Sequence, residues 1–221
     1  LSSSSAASDV YKRQTNMFSM FKGAYVPGNI HKWNVDSVTK MNDIFLHSSG
    51  ITNVKKGLIH ETFSKNSNWP YSWAQFVPPR NLTSSAELAF SENLQIGSVV
   101  GKFKANDANE GTITYHFING ENNTTFFTLD VNGTFKTATS FNYETNASIY
   151  TITVQAKDEL NATTEGNFTV TLEDIFEDLD QDGTADHLDD DMDGDGFTNA
   201  EELAYGSDPL DKNSVANAVP T

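Results

Sequence analysis

YTITVQAKDELN, residues 150–161, decides how the middle of the chain is read. Tyr150, Ile152, Val154 and Ala156 alternate with Thr151, Thr153, Gln155 and Lys157, a period of two that puts the apolar side chains on one face of a strand. The same alternation runs through Val99, Gly101, Phe103 and Ala105, through Ile113, Tyr115 and Phe117, and through Phe168, Val170 and Leu172. Between them Asp130-Val131-Asn132-Gly133 supplies an Asn-Gly hairpin turn. About seven such short strands over residues 80–174 predict a β-sandwich.

Four short motifs within that span resemble those of cadherin repeats. FSEN (90–93) is similar to Pro-Glu-Asn and ANDAN (105–109) to Ala-x-Asp-x-Asp; FNYE (141–144) is similar to Leu-Asp-Arg-Glu and QAKDELN (155–161) to Ala-x-Asp-x-x-Gly. They fall in the family's order. The resemblance implies calcium held by acids at the two ends of the sandwich. Glu92 and Glu144 would face the C-terminal end with Asp174 from the linker, and Asp107 and Asp158 the N-terminal end. Asn142 and Asn109 stand where the motifs have acids, which lowers the ligand charge at each end. The linker Asp-x-Asn-Asp-Asn is replaced by LEDIFED (172–178).

Charge then locates the next segment. The chain has 30 acidic and 14 basic residues in 221, a formal net charge of −16. Residues 173–211 hold 16 of the acids and no Lys or Arg, so the remainder is balanced and nucleic-acid binding, which needs a basic face, is not expected. Within the acidic stretch, DMDGDGFTNAEE (191–202) fits the calcium loop D-x-[DN]-x-[DN]-G-x₅-E. The spacing assigns Asp191, Asp193, Asp195, the Phe197 carbonyl, Asn199 and a bidentate Glu202 as Ca²⁺ ligands. DLDQDGTADHLD (178–189) offers Asp178, Asp180, Asp182, the Thr184 carbonyl, Asp186 and Asp189, with a shorter acid in the last place. Asp190 alone separates the loops, so no entering helix fits between them and a pair of EF-hands is excluded. One exit helix is predicted, from a capping box at Thr198 and Glu201 to a stop at Gly206 and a breaker at Pro209. This layout, ending in AYGSDP, resembles the thrombospondin type 3 repeats of bacterial surface proteins, in which calcium replaces a hydrophobic core. Without a cation, carboxylates ~4 Å apart repel by ~1 kcal/mol even in water and would hold the segment extended.

Toward the N-terminus, TNMFSMF (15–21) and TKMNDIF (39–45) align 24 residues apart, pairing Met17 with Met41, Met20 with Ile44 and Phe21 with Phe45. Such a period suits a leucine-rich-type solenoid. The intervening NIHKWNVDSVTKM resembles the Trp-x-Val-x-x-Val-x-x-Met signature of BspA-like leucine-rich repeat surface proteins. Residues 57–77, with NWPYSWAQFV, show no third copy and read as an aromatic cap; Pro78 and Pro79 read as a stiff linker. SSAASDVYKRQ (4–14) back-translates to a transposase sequencing-library adapter, so residues 1–14 are read as an artefactual or disordered leader. Residues 214–221, with ANAVPT, read as the start of a following domain or a tail.

The expected fold class is mainly β: a leucine-rich-type repeat fragment (15–78), a cadherin-like β-sandwich (80–174), and an irregular calcium-binding acidic segment (175–213) with one short helix. The expected function is a calcium-binding adhesion or spacer module of a larger exported surface protein. Its partners would be other surface proteins or glycans, a homophilic contact included. The alternatives are a non-catalytic accessory region of a secreted hydrolase and a dockerin-like attachment module. No enzyme is expected. The five histidines are scattered, HETFS lacks the second His of a zinc-protease helix, and no G-x-S-x-G or cysteine occurs. Nor is any stretch long and apolar enough to span a membrane. Seven N-x-S/T sequons, at Asn81, Asn122, Asn123, Asn132, Asn146, Asn161 and Asn167, suit turns and solvent faces of an extracellular sandwich.

Overall fold

The structure is a computed structural model that describes residues 14–118 and 125–214. Nearly all of the adapter-like leader, the ANAVPT end and the sequons at Asn122 and Asn123 lie outside the described residues. The chain divides into two compact units, one of Leu1–Leu88, Ile96–Thr139 and Thr151–Val170, the other of Ala89–Gln95, Ser140–Tyr150 and Thr171–Thr221.

In the first unit, the 24-residue repeat is visible in the backbone itself. The N–H groups of Met17, Ser19, Phe21 and Gly23 donate to the carbonyls of Lys40, Asn42, Ile44 and Leu46, and parallel bridges join Asn16 to Lys40 and Tyr25 to Ser49. Left-handed residues recur at the same spacing, Ser19 with Asp43 and Gly23 with His47. The two turns thus stack in register and enclose Met17, Val26, Ile30, Val35, Val38, Met41, Ile44 and Phe45, with Phe21 stacked on Phe45 at 5.8 Å. A helix over Asn53–Phe63 follows, capped by the Thr52 hydroxyl, which accepts from Lys55 N–H. It adds Ile59 and Phe63 to the core. Gly57 is obligatory there because a β-carbon would strike the Phe76 carbonyl.

Trp69, Tyr71 and Trp73 pack over Phe45 where a third repeat would lie. The hydrogen bonds of that missing repeat are supplied by side chains: Phe45 N–H donates to Tyr71 Oη at 3.0 Å, and the buried Asn66 amide donates to the carbonyls of Val35 and Val38 at 2.7 and 2.8 Å. Side chains thus take up part of the repeat's polar edge without a further strand.

Among the described residues eight strands form the sandwich: β1 (Arg80–Ser84), β2 (Ala89–Ser91), β3 (Val99–Asn106), β4 (Thr114–Phe117), β5 (Phe127–Leu129), β6 (Thr134–Thr137), β7 (Ile149–Lys157) and β8 (Thr163–Glu173). One sheet has the order β1-β3-β6-β5, the other β2-β8-β7-β4. Their inner faces bury Phe103, Ile152, Val154, Ala156 and Val170, as the alternation predicts, and add Phe127 and Phe135 from β5 and β6, which it does not include. Val99 departs from it. It is 64% exposed because the register between β3 and β6 shifts between Val99 and Gly101, which turns the first residue of the strand outward. The Asp130–Gly133 turn joins β5 to β6 as read from sequence. Gly133 is left-handed there, and a β-carbon would lie 2.6 Å from the Phe103 carbonyl oxygen.

In the second unit, β2 pairs in parallel with the last residues of β8, aligning Phe90 with Leu172 and Ser91 with Glu173. Phe90 meets Phe141 edge-on at 4.8 Å. From Asp174 to Ser214 the backbone is irregular except for a 3₁₀ turn at Asp186–Leu188 and the helix Asn199–Tyr205. That helix has the capping box expected, with Thr198 accepting from Glu201 N–H and the Glu201 carboxylate accepting from Thr198 N–H. It ends at left-handed Gly206.

Candidate calcium sites

The second unit gathers carboxylates into three groups, each with one oxygen per residue lying within 4.8 Å of the others: Asp191, Asp193 and Asp195; Asp178, Asp180 and Asp182; and Glu92, Glu144, Asp174 and Glu177.

In the Asp191 group the loop is wound by its own acids. One oxygen of each carboxylate accepts a backbone N–H: Asp191 from Gly196, Asp193 from Asp195, Asp195 from Phe197, at 2.8–3.2 Å. Gly194 and Gly196, both left-handed, permit the tight winding. The other oxygen of each, Asp191 Oδ1, Asp193 Oδ2 and Asp195 Oδ2, is buried with no hydrogen-bond partner. Glu202, brought under the loop by the helix, is fully enclosed, and neither of its oxygens has a partner. A buried carboxylate costs several kcal/mol unless a charge meets it. Burial, with repulsion from Asp193, Asp195 and Asp191, raises the pKa of Glu202, and burial likewise raises that of Asp193, with added repulsion from Asp195, Asp191 and Asp211. Several unpaired oxygens in one enclosed place suit a hard cation with oxygen ligands, which is calcium chemistry. Phe197, whose N–H is spent on Asp195, has the loop position whose carbonyl such a site uses.

The Asp178 loop repeats the winding with a weaker closure. Asp178 accepts from Gly183 N–H, Asp180 from Asp182 N–H and Asp182 from Thr184 N–H, while Asp178 Oδ1 is buried and unpartnered. Asp186 and Asp189 do not join the three. Asp186 Oδ1 accepts from Leu179 N–H and Asp189 Oδ1 from Asp191 N–H, so each has one oxygen committed to backbone. Asn199 is committed too, its Oδ1 to Met192 N–H and its Nδ2 to the Asp189 carbonyl.

The third group is built around Glu92, which is 1% exposed and accepts from Tyr143 N–H at 2.7 Å and Ile175 N–H at 2.9 Å. These bonds fix the chain segments that carry Glu144 and Asp174. Glu177 completes the group and was not singled out in the sequence. Its pKa is raised, first by burial and then by the charges of Glu92 and Glu144. The available signal was spacing: Glu177 lies three residues after Asp174, as the second acid of Asp-x-Asn-Asp-Asn does after the first. In the first unit, Asp107 and Asp158 each wind a loop with one oxygen and leave Oδ2 buried and unpartnered, but no third acid joins them among the described residues.

Residues 86–173 match the Cadherin domain model, residues 191–212 the Bacterial TSP3 repeat model, and residues 8–67 the model of a Mycoplasma protein of unknown function, DUF285. No curated protein matches the chain. Among solved structures, one of protocadherin gamma B7 extracellular cadherin domains 1–4 is 29% identical over 45% of this chain and 25% of that one, with a TM-score of 0.39. The third cadherin domain from human protocadherin 7 is 22% identical over 44% of this chain and 87% of that one, with a TM-score of 0.38. The chain spans about a quarter of the length of the first of these. No helix among the described residues is long and apolar enough to cross a membrane. Taken in order, the chain carries a leucine-rich-type repeat, a cadherin-like β-sandwich and a thrombospondin type 3-like repeat.

Proposed function

We propose that this chain is a calcium-rigidified adhesion or spacer module of a larger exported surface protein, with no catalytic role. One observation carries the reading: the second unit encloses carboxylate oxygens of Asp178, Asp191, Asp193, Asp195 and Glu202 that have no partner within the protein. Calcium supplies the missing partner and, in doing so, the interior that this segment otherwise lacks. Its ligands would be Asp191, Asp193, Asp195, Phe197 and Glu202 in the second loop, Asp178, Asp180, Asp182 and Thr184 in the first, and Glu92, Glu144, Asp174 and Glu177 beyond β8. Extracellular modules hold calcium with Kd about 10⁻⁴ to 10⁻³ M, and free calcium at ten times Kd adds ~1.4 kcal/mol per site by mass action. Three such sites outweigh the flexibility of a short irregular segment. Its location would be the cell surface, and its partners other surface proteins, glycans or a second copy; the acidic excess of 30 acids over 14 bases does not favour nucleic acid.

Hydrogen exchange on the whole chain, with calcium and with chelator, tests the reading. Amides of residues 178–205 should be protected with calcium and exchange freely without it, while those of β3, β7 and the repeat stay unchanged. Equal protection of residues 178–205 in both conditions would sink it.

A further inference from the structure

Asn199 occupies a loop position from which calcium ligands are drawn, yet its side chain faces backbone on both sides. Oδ1 accepts from Met192 N–H at 3.0 Å and Nδ2 donates to the Asp189 carbonyl at 2.7 Å. Its own N–H donates to the Asp190 carbonyl at 2.7 Å. These three contacts clasp the residues on either side of Asp191, the first acid of the second loop. Asp189, the last acid of the first loop, is drawn into the same knot, because its Oδ1 accepts from Asp191 N–H at 2.8 Å. The amide is required for this. One side must accept and the other donate, and a carboxylate at this place has no hydrogen to give the Asp189 carbonyl.

We propose that Asn199 is a positioning residue and not a ligand: its amide locks the junction of the two loops, so that filling one loop orders the first acid of the other and the two take up calcium cooperatively. The proposal rests on the calcium reading above. Asn199→Asp separates the two roles. As a ligand, an aspartate adds charge and tightens the second loop. At the first position of the helix it is also favourable for the helix itself, so the helix is not weakened. As a clasp, it loses the bond to Asp189 and sets a carboxylate against a carbonyl, and each lost hydrogen bond is worth about tenfold in affinity at most contacts of this kind.

Calcium calorimetry on the full chain tests this with four proteins: wild type, Asn199→Asp, Asp178→Asn, and the double variant. The expected result is roughly tenfold weaker binding at the second loop in Asn199→Asp. Disabling the first loop by Asp178→Asn should weaken the second loop in the wild-type background and leave it unchanged in the Asn199→Asp background. A residue with a merely local structural role would not remove that coupling. Binding as tight as wild type or tighter in Asn199→Asp, or a Asp178→Asn effect of equal size in both backgrounds, would overturn the proposal while leaving the calcium reading intact. A wild-type chain that takes up no calcium would overturn the calcium reading itself.

Discussion

The repeat of residues 15–77 closes around Met17, Ile30, Met41, Ile44, Ile59 and Phe63, none of them exposed, whereas the segment from Asp178 to Tyr205 encloses Asp193 and Glu202 and leaves Leu179, Leu188, Leu203 and Tyr205 in water. Both are irregular in the sense that neither is built on a full sheet or bundle. The first meets part of its backbone edge with Tyr71 and Asn66 and gains its stability from apolar area removed from water. The second winds its backbone onto its own carboxylates, and the price is a cluster of like charges that only a cation offsets. The difference teaches where each part is vulnerable. One fails when volume is removed, the other when the ion or a ligand charge is.

The largest effect should come from the apolar side. Phe63 is fully buried and meets Trp69 edge-on at 5.5 Å and Phe45 at 6.5 Å. Phe63→Ala should cost ~3–5 kcal/mol through lost burial and a cavity. Thermal unfolding followed by tryptophan fluorescence should show this loss whether or not calcium is present. A loss that calcium repairs would break the contrast between the two regions.

On the acidic side, Glu202→Gln should weaken calcium uptake by on the order of tenfold or more, because it removes a charge from an enclosed carboxylate with both oxygens free. Asp189→Asn should do less, since Asp189 lies outside the close group of Asp178, Asp180 and Asp182 oxygens. Calorimetry on the two variants ranks them. If Asp189→Asn is the more damaging, the ligand set of the loops has been divided wrongly.

How much of this was legible in sequence depends on whether the cause is local. The strand alternation of β7, the Asn132-Gly133 turn and the capping box at Thr198 are fixed by neighbours a few residues away, and they stand in the structure as read. The winding of the acidic loops was legible for the same reason. Val99 was misread because a bulge is set by the partner strand, which periodicity does not see. The Asn53–Phe63 helix went unread because Gly57 breaks its pattern, and Gly57 is there for the distant Phe76 carbonyl. The left-handed Asp43 and His47 repeat the conformations of Ser19 and Gly23 without repeating the residues. Glu177 carried a spacing signal, three residues after Asp174, but it is the fold that sets it beside Glu92 and Glu144.

Acid should move the two regions in opposite directions, and this smaller effect sharpens the comparison. In the aromatic cap, Trp69 Nε1 donates to His60 Nδ1 at 3.0 Å, a bond that needs the neutral ring, and burial lowers the His60 pKa. A lowered histidine pKa means the unfolded chain binds the proton more readily, so this stability is complete above the ordinary histidine pKa and is lost as pH falls from there through the lowered value of the folded chain. In the calcium-free acidic segment, the pKa values of Glu177, Asp193 and Glu202 are raised, first by burial and then by neighbouring carboxylates. A raised carboxylate pKa means the folded chain binds the proton more readily, so its stability grows as pH falls from neutral toward the carboxylate range. Hydrogen exchange in chelator at pH about 7 and about 5.5 reads both at once, after correction for the intrinsic exchange rate. Amides around His60 and Trp69 should lose protection at the lower pH while those of residues 191–205 gain it, and His60→Gln, which removes the titrating ring, should flatten the first response and leave the second. Protection that falls with acid in both regions would mean that the enclosed carboxylates are not held at the cost their burial implies.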